Sequence, residues 1–166
     1  MAPPLRSAAR FGIAYRPAGD GDLEFLASVY FSTRREEVAQ TGWPAEQQEA
    51  FLRHQHEAQH AHYANAYAKA QFLVIERGGE PIGRLYLHEG AGEIRIVDIA
   101  LLPEARGGGI GEAILRDIGE DAAGRGKTVT VHVEKFNPAR RLYERIGFLA
   151  VEDKGVYDFM EWRAGA

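Results

Sequence analysis

The sequence has no cysteine and no long apolar run among its 166 residues. Without thiols, the chain forms neither a disulfide nor a thiolate zinc site. No apolar stretch approaches the roughly 20 residues that cross a bilayer. The first ten residues also lack the apolar centre of a secretion signal. These absences predict a cytoplasmic protein with no membrane partner.

The chain also lacks a strong excess of charge of one sign. Its 20 lysines and arginines stand against 24 aspartates and glutamates, a formal net charge of -4. A weakly acidic chain has no broad attraction for phosphate backbones, which disfavours nucleic acid as a partner. The length and the 45% hydrophobic content fit one domain with a sizeable core. We expect a flexible tail over residues 1–10 and a single domain over residues 11–166.

Hydrophobic periodicity predicts an α/β order of elements. Residues 45–69 contain neither glycine nor proline and predict a long, largely exposed helix. Three β-type runs over residues 71–102, separated by glycine-containing turns, predict an antiparallel meander. A strand, helix, strand crossover then requires a parallel pair between strands near residues 94–101 and 128–133. The expected fold is a mixed, mostly antiparallel sheet of six or seven strands flanked by helices.

Glycine is concentrated where the third of these runs gives way to a helical pattern. Four glycines occur within five positions, at Gly107, Gly108, Gly109 and Gly111. A dinucleotide-binding fingerprint fails here because its third glycine would fall on a glutamate or an isoleucine. The later "GRGKT" completes no Walker loop, since its first glycine position holds an aspartate and it joins a helix to a strand.

A glycine-rich turn that opens a helix favours anion binding. The first amide groups of a helix have no intrahelical partner, and the helix dipole attracts negative charge to that end. A pyrophosphate suits such a turn. The alternative is a flexible connection that uses glycine only for its positive φ.

Two motifs in this chain resemble those of the GCN5-related N-acetyltransferases (GNAT). The stretch from Arg106 through Gly109 to Gly111 matches the family signature [Q/R]-x-x-G-x-[G/A]. Downstream, "NPARRLYERIGF" is similar to the family's block of an asparagine, a short helix, a tyrosine and Gly-Phe. The resemblance covers residues 75–162 in the order of elements.

The resemblance implies a GNAT-like acyl-CoA N-acyltransferase fold that uses acetyl-CoA and no metal. The pantetheine arm would lie along the backbone of the strand before the glycine turn. The acetyl group would pass directly to a primary amine of a small molecule or peptide, with no acylated enzyme. The implied cofactor contacts are Ile99, Ala100, Leu101, Arg106, Gly107, Gly108, Gly109, Ile110, Gly111, Asn137 and Tyr143.

Direct transfer requires an acid for the leaving thiolate and an acceptor for the proton of the amine. By resemblance, Tyr143 is the acid, and its phenol is protonated at neutral pH because the reference pKa is about 10. His132 and Asp98 are the candidate bases, and ordered water is the alternative relay. Asn137 also has a local explanation as the cap of the short helix.

The sequence indicates the acceptor site less clearly than the cofactor site. In this family the first helices border the acceptor cleft, which makes Tyr30, Arg34, Trp43 and Tyr63 candidate acceptor contacts. His56 and His60 lie four residues apart on one helix, but no third ligand supports a metal site, and a solvated helix face is the favoured interpretation.

Two other classes of function stay open at this stage. A protein of the same fold that binds acyl-CoA without transferring it would serve as a sensor or interaction module. A nucleotide-binding protein would use the glycine turn for ATP or NAD. The terminal strand "VYDFMEW" is an edge candidate for pairing two copies in a homodimer.

Overall fold

One sheet of seven strands runs through residues 2–165, which the computed structural model describes. Its strands are β1 (Ile13–Pro17), β2 (Gln71–Arg77), β3 (Glu80–Glu89), β4 (Glu93–Leu101), β5 (Thr128–Glu134), β6 (Leu149–Asp153) and β7 (Tyr157–Trp162). Their order across the sheet is β1-β2-β3-β4-β5-β7-β6. Strands β4 and β5 are parallel, and the other five neighbouring pairs are antiparallel. The predicted fold class and the predicted parallel pair are both confirmed.

Helices cover the two faces of this sheet. The four α-helices are α1 (Leu23–Ala39), α2 (Ala45–Ala66), α3 (Ile110–Gly124) and α4 (Arg140–Ile146). Side chains alternate along a strand, so Leu85 and Leu87 of β3 join the main core with α3, whereas Arg84 and Tyr86 face α1 and α2.

The face of α3 that packs on the sheet is the one that periodicity predicted. Ile110, Ile114 and Ile118 are each at most 2% exposed. Among residues 2–165, no helix is both long and apolar enough to cross a membrane.

The last hairpin differs from the expectation for the sheet edge. Strand β7 pairs with β5 on one side and with β6 on the other. The chain passes β6 at the outside and returns through β7 into the interior of the sheet, so the prediction that residues 156–162 form an edge is wrong. The edge strand at this end of the sheet is β6, and all five of its residues are exposed. The homodimer itself stays a prediction.

The start of the chain is held against α3 by one carboxylate. Asp117, in the middle of α3 and 1% exposed, accepts backbone N–H groups from Arg6, Ser7 and Ala8 at 3.0, 2.7 and 3.0 Å. Residues Ala8–Phe11 then form a short 3-10 helix, in which Ala8 is fully buried. Residues 6–8 of the expected tail thus make specific contacts with α3. Met1 and Ala166, the outer ends of the two predicted segments, lie outside the described residues.

We expect Asp117→Asn to lower the free energy of unfolding by roughly 1–3 kcal/mol, because a buried charged acceptor of three backbone amides is replaced by a neutral one. Urea unfolding followed by circular dichroism measures the change. Glu120→Gln is the matched control, since Glu120 lies one turn away and pairs with Arg6 only at the surface. A control that destabilises as much as the test variant contradicts this account of Asp117.

Candidate active site

A gap opens in the sheet between its two parallel strands. β4 and β5 pair over only four positions, which end at Ile96 opposite Val131. Beyond that point β4 continues to Leu101 and β5 to Glu134 without pairing to each other. Backbone groups on the facing sides of both strands are therefore available along the gap.

Two local features bend β4 away from β5. Tyr86 of β3 lies opposite Asp98, but the next residue, Leu87, lies opposite Ile96, so Val97 is an extra residue in β4. Such a bulge bends its strand and increases its twist. Gly83 of β3 is the second feature, because a Cβ built there would lie 2.4 Å from the carbonyl oxygen of Ala100.

Sequence reasoning missed Gly83, although an isolated glycine inside a strand pattern signals a bulge or a close backbone approach. Any larger residue would push the end of β4 off β3. The position of the gap wall thus depends on a residue outside both family motifs.

The backbone of β4 presents alternate residues to the gap. Leu102, just after β4, donates its N–H to the carbonyl oxygen of Ile82 in the adjacent strand β3 at 2.8 Å. Because backbone groups alternate along an antiparallel strand, Ala100 also faces β3, whereas Ile99 and Leu101 face the gap. Among the three residues predicted to meet pantetheine, Ile99 and Leu101 therefore have the better-directed backbone groups.

The predicted glycine cradle, here called the glycine loop (residues 106–111), lies at the end of β4 and begins α3. Gly107 and Gly109 have φ of +80° and +95°, in the left-handed region that favours glycine. A Cβ added at Gly109 would lie 3.4 Å from Cζ of Phe11, whereas one added at Gly108 would meet open space. The space beside Gly108 and the start of the 15-residue α3 fit a pyrophosphate.

Arg106 connects the glycine loop to β4 and α1. Its Nε donates to the carbonyl oxygen of Leu101 at 2.9 Å, and its Nη2 donates to Oγ of Ser32 at 3.1 Å. The guanidinium therefore lies at the end of the gap, beside the loop that would hold the pyrophosphate. A positive charge there suits a phosphate ligand.

Tyr143 reaches the core side of this region from α4. It is 6% exposed, and its ring packs edge-on against Phe148 at a centroid distance of 5.2 Å. Burial raises the pKa of the Tyr143 phenol, and the negative charge of Asp98 raises it further. Tyr143 is therefore protonated at neutral pH, as a proton donor must be.

The turn into α4 is fixed by Asn137. Its Oδ1 accepts the N–H of Ala139 at 2.9 Å, which confirms a local role near the helix start. The cap position itself is Ala139, and α4 begins at Arg140. Asn137 is exposed and shares a surface depression with Phe136.

Asp98 is part of a buried ion pair. Arg84 is 2% exposed, and its Nη2 lies 2.7 Å from Oδ2 of Asp98. Two residues of α2 complete the cluster: Tyr63 donates its hydroxyl to Asp98 at 3.3 Å, and Gln59 accepts from Arg84 at 2.9 Å. The predicted base is therefore already engaged by two donors. Arg84 and Gln59 were missed, although an arginine inside the apolar run "PIGRLYL" was a visible signal.

His132 lies on the exposed face of β5, with contacts that run towards β7. Its ring centroid is 5.0 Å from that of Phe159, and the guanidinium of Arg95 lies over the same Phe159 ring. Partial burial lowers the pKa of His132, and the positive charges of Arg95 and Lys154 lower it further. The imidazole is thus neutral at neutral pH and able to accept a proton.

Three of the four predicted acceptor contacts lie together around a cavity of about 240 Å³ between α1 and α2. They are Tyr30, Arg34 and Trp43. The cavity is also lined by Glu37, Val38, Thr41, Phe51, Leu52 and Gln55. The fourth candidate, Tyr63, lies instead against Tyr86 and Asp98.

His56 lies close both to Tyr30, which lines the cavity, and to Arg84 of the Arg84–Asp98 ion pair. It is 6% exposed, and its ring centroid lies 5.7 Å from that of Tyr30. Burial lowers the pKa of His56 to about 4, and the positive charge of Arg84 contributes. His56 is therefore buried rather than on the solvated face that the sequence favoured. Within residues 2–165, no group of three or more histidines and carboxylates is arranged to hold a metal ion.

A mixed sheet that opens between two parallel strands, with a glycine loop at the end of the opening, defines the acyl-CoA N-acyltransferase fold. The family model for the acetyltransferase (GNAT) domain matches residues 68–149. This match, the shared fold and the similar proteins described below support membership of the GNAT superfamily.

Known proteins similar to the chain include a mycothiol acetyltransferase from Streptomyces bingchenggensis. The two are 36% identical over an alignment of 92 residues, which covers 52% of this chain and 29% of that protein. The chain thus matches less than a third of the length of this curated relative.

Solved structures share the fold over nearly the whole chain. The PaiA N-acetyltransferase from Thermoplasma acidophilum, in complex with coenzyme A, superimposes with a TM-score of 0.69 at 20% identity, covering 91% of this chain and 98% of that one. The spermidine N-acetyltransferase from Vibrio cholerae, in complex with CoA and spermine, gives a TM-score of 0.59 at 18% identity, covering 90% and 93%.

We expect His56→Gln to make the free energy of unfolding depend less on pH between about pH 4 and pH 6.5. The folded chain keeps His56 neutral down to about pH 4, whereas the unfolded chain protonates it near its ordinary pKa of 6.5. Stability is therefore lost as the pH falls through this window, with a slope of up to about 1.4 kcal/mol per pH unit from one proton. Urea unfolding at several pH values measures the slope. Exposed His54 on the same helix is the control, and an equal effect of His54→Gln would contradict the assignment.

We expect Gly109→Ala to weaken the binding of coenzyme A about tenfold, while Gly124→Ala, at the other end of α3, leaves it unchanged. Alanine at position 109 costs roughly 1–2 kcal/mol because its φ lies in the left-handed region. Position 124 has an ordinary φ and open space and lies outside the glycine loop, so alanine fits there without touching the proposed ligand site. Calorimetric titration with coenzyme A measures both variants. Equal losses in the two would show that the backbone conformation is not the cause.

Proposed function

We propose that this protein is an acetyl-CoA-dependent N-acetyltransferase that passes the acetyl group directly to a primary amine of a small molecule or peptide. The observation that carries the proposal is the gap between β4 and β5, which has the glycine loop at its end. Tyr143 supports it as a protonated phenol whose pKa is raised by burial and by the charge of Asp98 on β4. The names of the similar proteins support it, since both the mycothiol relative and the two structures are acetyltransferases.

The cofactor would lie along the gap and end on α3. The glycine loop would hold its pyrophosphate through its backbone amides, which include that of Ile110 at the start of α3. The backbone of β4 at residues 99–101 would meet the pantetheine amides as an added strand would. Asn137, at the entrance to α4, would contact the same arm.

Transfer of the acetyl group from the thioester to the amine needs no nucleophile from the enzyme. The amine nitrogen forms a bond to the thioester carbonyl carbon, and the carbon–sulfur bond breaks. Tyr143 gives its hydroxyl proton to the leaving sulfur, and the amine loses one proton to a base or to water. A tyrosine with a raised pKa holds that proton throughout the neutral range.

The two candidate bases have different roles in this proposal. Asp98 is engaged by Arg84 and Tyr63, so it serves as a fixed negative charge near the reacting amine. His132 is neutral at neutral pH and is the better proton acceptor, directly or through water. Replacing His132 therefore removes the acidic limb of the pH profile in this scheme.

The acceptor would enter beside the cavity between α1 and α2. Aromatic rings of Tyr30, Trp43 and Phe51 line this cavity together with the ion pair between Arg34 and Glu37. Such a lining suits an amine with an apolar body and a polar or charged end.

We expect Tyr143→Phe to lower kcat about a hundredfold, with little change in coenzyme A binding, because general acid catalysis contributes roughly that much. Turnover is measured as release of the CoA thiol with polyamines, amino acids, aminoglycosides and peptides as acceptors. The same screen identifies the acceptor. Tyr157→Phe is the matched control, since Tyr157 is an exposed residue of β7.

Other results would redirect the proposal. Unchanged turnover in Tyr143→Phe would contradict the acid role. Thermal stabilisation by acetyl-CoA without turnover on any amine would favour the acyl-CoA sensor. No stabilisation by saturating acetyl-CoA, with a shift by ATP or NAD instead, would favour the nucleotide-binding class.

A further inference from the structure

The residue that faces the glycine loop from the other side is Phe11, far from it in sequence. A Cβ built on Gly109 would lie 3.4 Å from Cζ and 4.0 Å from Cε1 of the Phe11 ring. The Phe11 ring therefore lies directly beside Gly109, at the distance where a Cβ on that residue would be in van der Waals contact with it. Phe11 is partly buried and packs against the main core.

Phe11 is held in place on both sides along the chain. Before it, the amides of residues 6–8 are fixed by the carboxylate of Asp117. After it, Gly12 adopts φ of +71° and turns the chain into β1, which pairs with β2 over its whole length. The ring thus has a fixed position before any ligand arrives.

The other glycines of the loop have different surroundings. Cβ atoms built on Gly107 and Gly108 would meet open space, and one built on Gly111 would lie 3.8 Å from Leu142. Gly109 is also the N-cap residue of α3 and the one with the largest φ in the loop. Phe11 therefore supports the loop at the residue where the helix amides begin.

We propose that Phe11 is a positioning residue for the pyrophosphate of acetyl-CoA: it presets the glycine loop, although it does not touch the cofactor. A loop that is already ordered binds its ligand without an ordering cost. This inference rests on the proposed function for the identity of the ligand. It adds that the start of the chain, outside both family motifs, is part of the cofactor site.

Phe11→Ala should weaken the binding of coenzyme A about tenfold but leave the binding of pantetheine, which has no phosphate, unchanged. Calorimetry measures the first affinity, and NMR titration, which reaches millimolar affinities, measures the second. Phe11→Leu fills most of the same space and should restore coenzyme A binding. Circular dichroism and thermal unfolding show whether each variant is folded.

A proportional loss for both ligands would overturn the proposal, because it would indicate general damage to the domain. Full coenzyme A affinity in a folded Phe11→Ala variant would overturn it as well. Hydrogen exchange of the loop amides in the protein without ligand gives a second test, and faster exchange over residues 106–111 in Phe11→Ala is expected. If the wild-type protein binds no coenzyme A, the proposed function fails, while the exchange result still decides whether Phe11 orders the loop.

Discussion

The separation of β4 from β5 is the constraint on which the site depends. If β4 and β5 stayed paired past Ile96 and Val131, their backbone groups would hydrogen-bond to each other and leave no room for a ligand. The strands separate because β4 is held on β3 by the close approach at Gly83 and bent by the extra residue Val97. β5 meanwhile stays paired to β7 as far as Glu134.

The Arg84–Asp98 pair ties this bent strand to α2. A buried ion pair adds little net stability by itself, because desolvation opposes the attraction between the charges. Its hydrogen bonds to Gln59 and Tyr63 provide further partners for both groups. The cluster thus fixes the position of α2 on the sheet and, with it, one wall of the cavity that Tyr30 lines. The cluster therefore contributes more to the position of α2 than to the free energy of folding.

Local patterns predicted the elements well where the cause of structure is local. The apolar period of α3 and the alternating runs of the meander depend on near neighbours in sequence, and both were confirmed. The edge strand was wrong because strand order depends on whether the last hairpin turns inward or outward. The burial of His56 was missed for a similar reason, since α2 turns this side chain towards Arg84, a partner from another element. The hydrogen bond from Tyr63 to Asp98 also joins two elements and has no signal in a local pattern.

The sequence by itself determined the order of elements, the glycine loop at a helix start and the family that the two motifs indicate. These follow from spacing, backbone preference and periodicity, which a linear pattern contains. Tertiary structure alone decided that Gly83 shapes the gap, that Asp98 is already paired and that Phe11 lies against Gly109. Each of those facts is a contact between residues distant in sequence, and such contacts are set by how the helices and the sheet pack together.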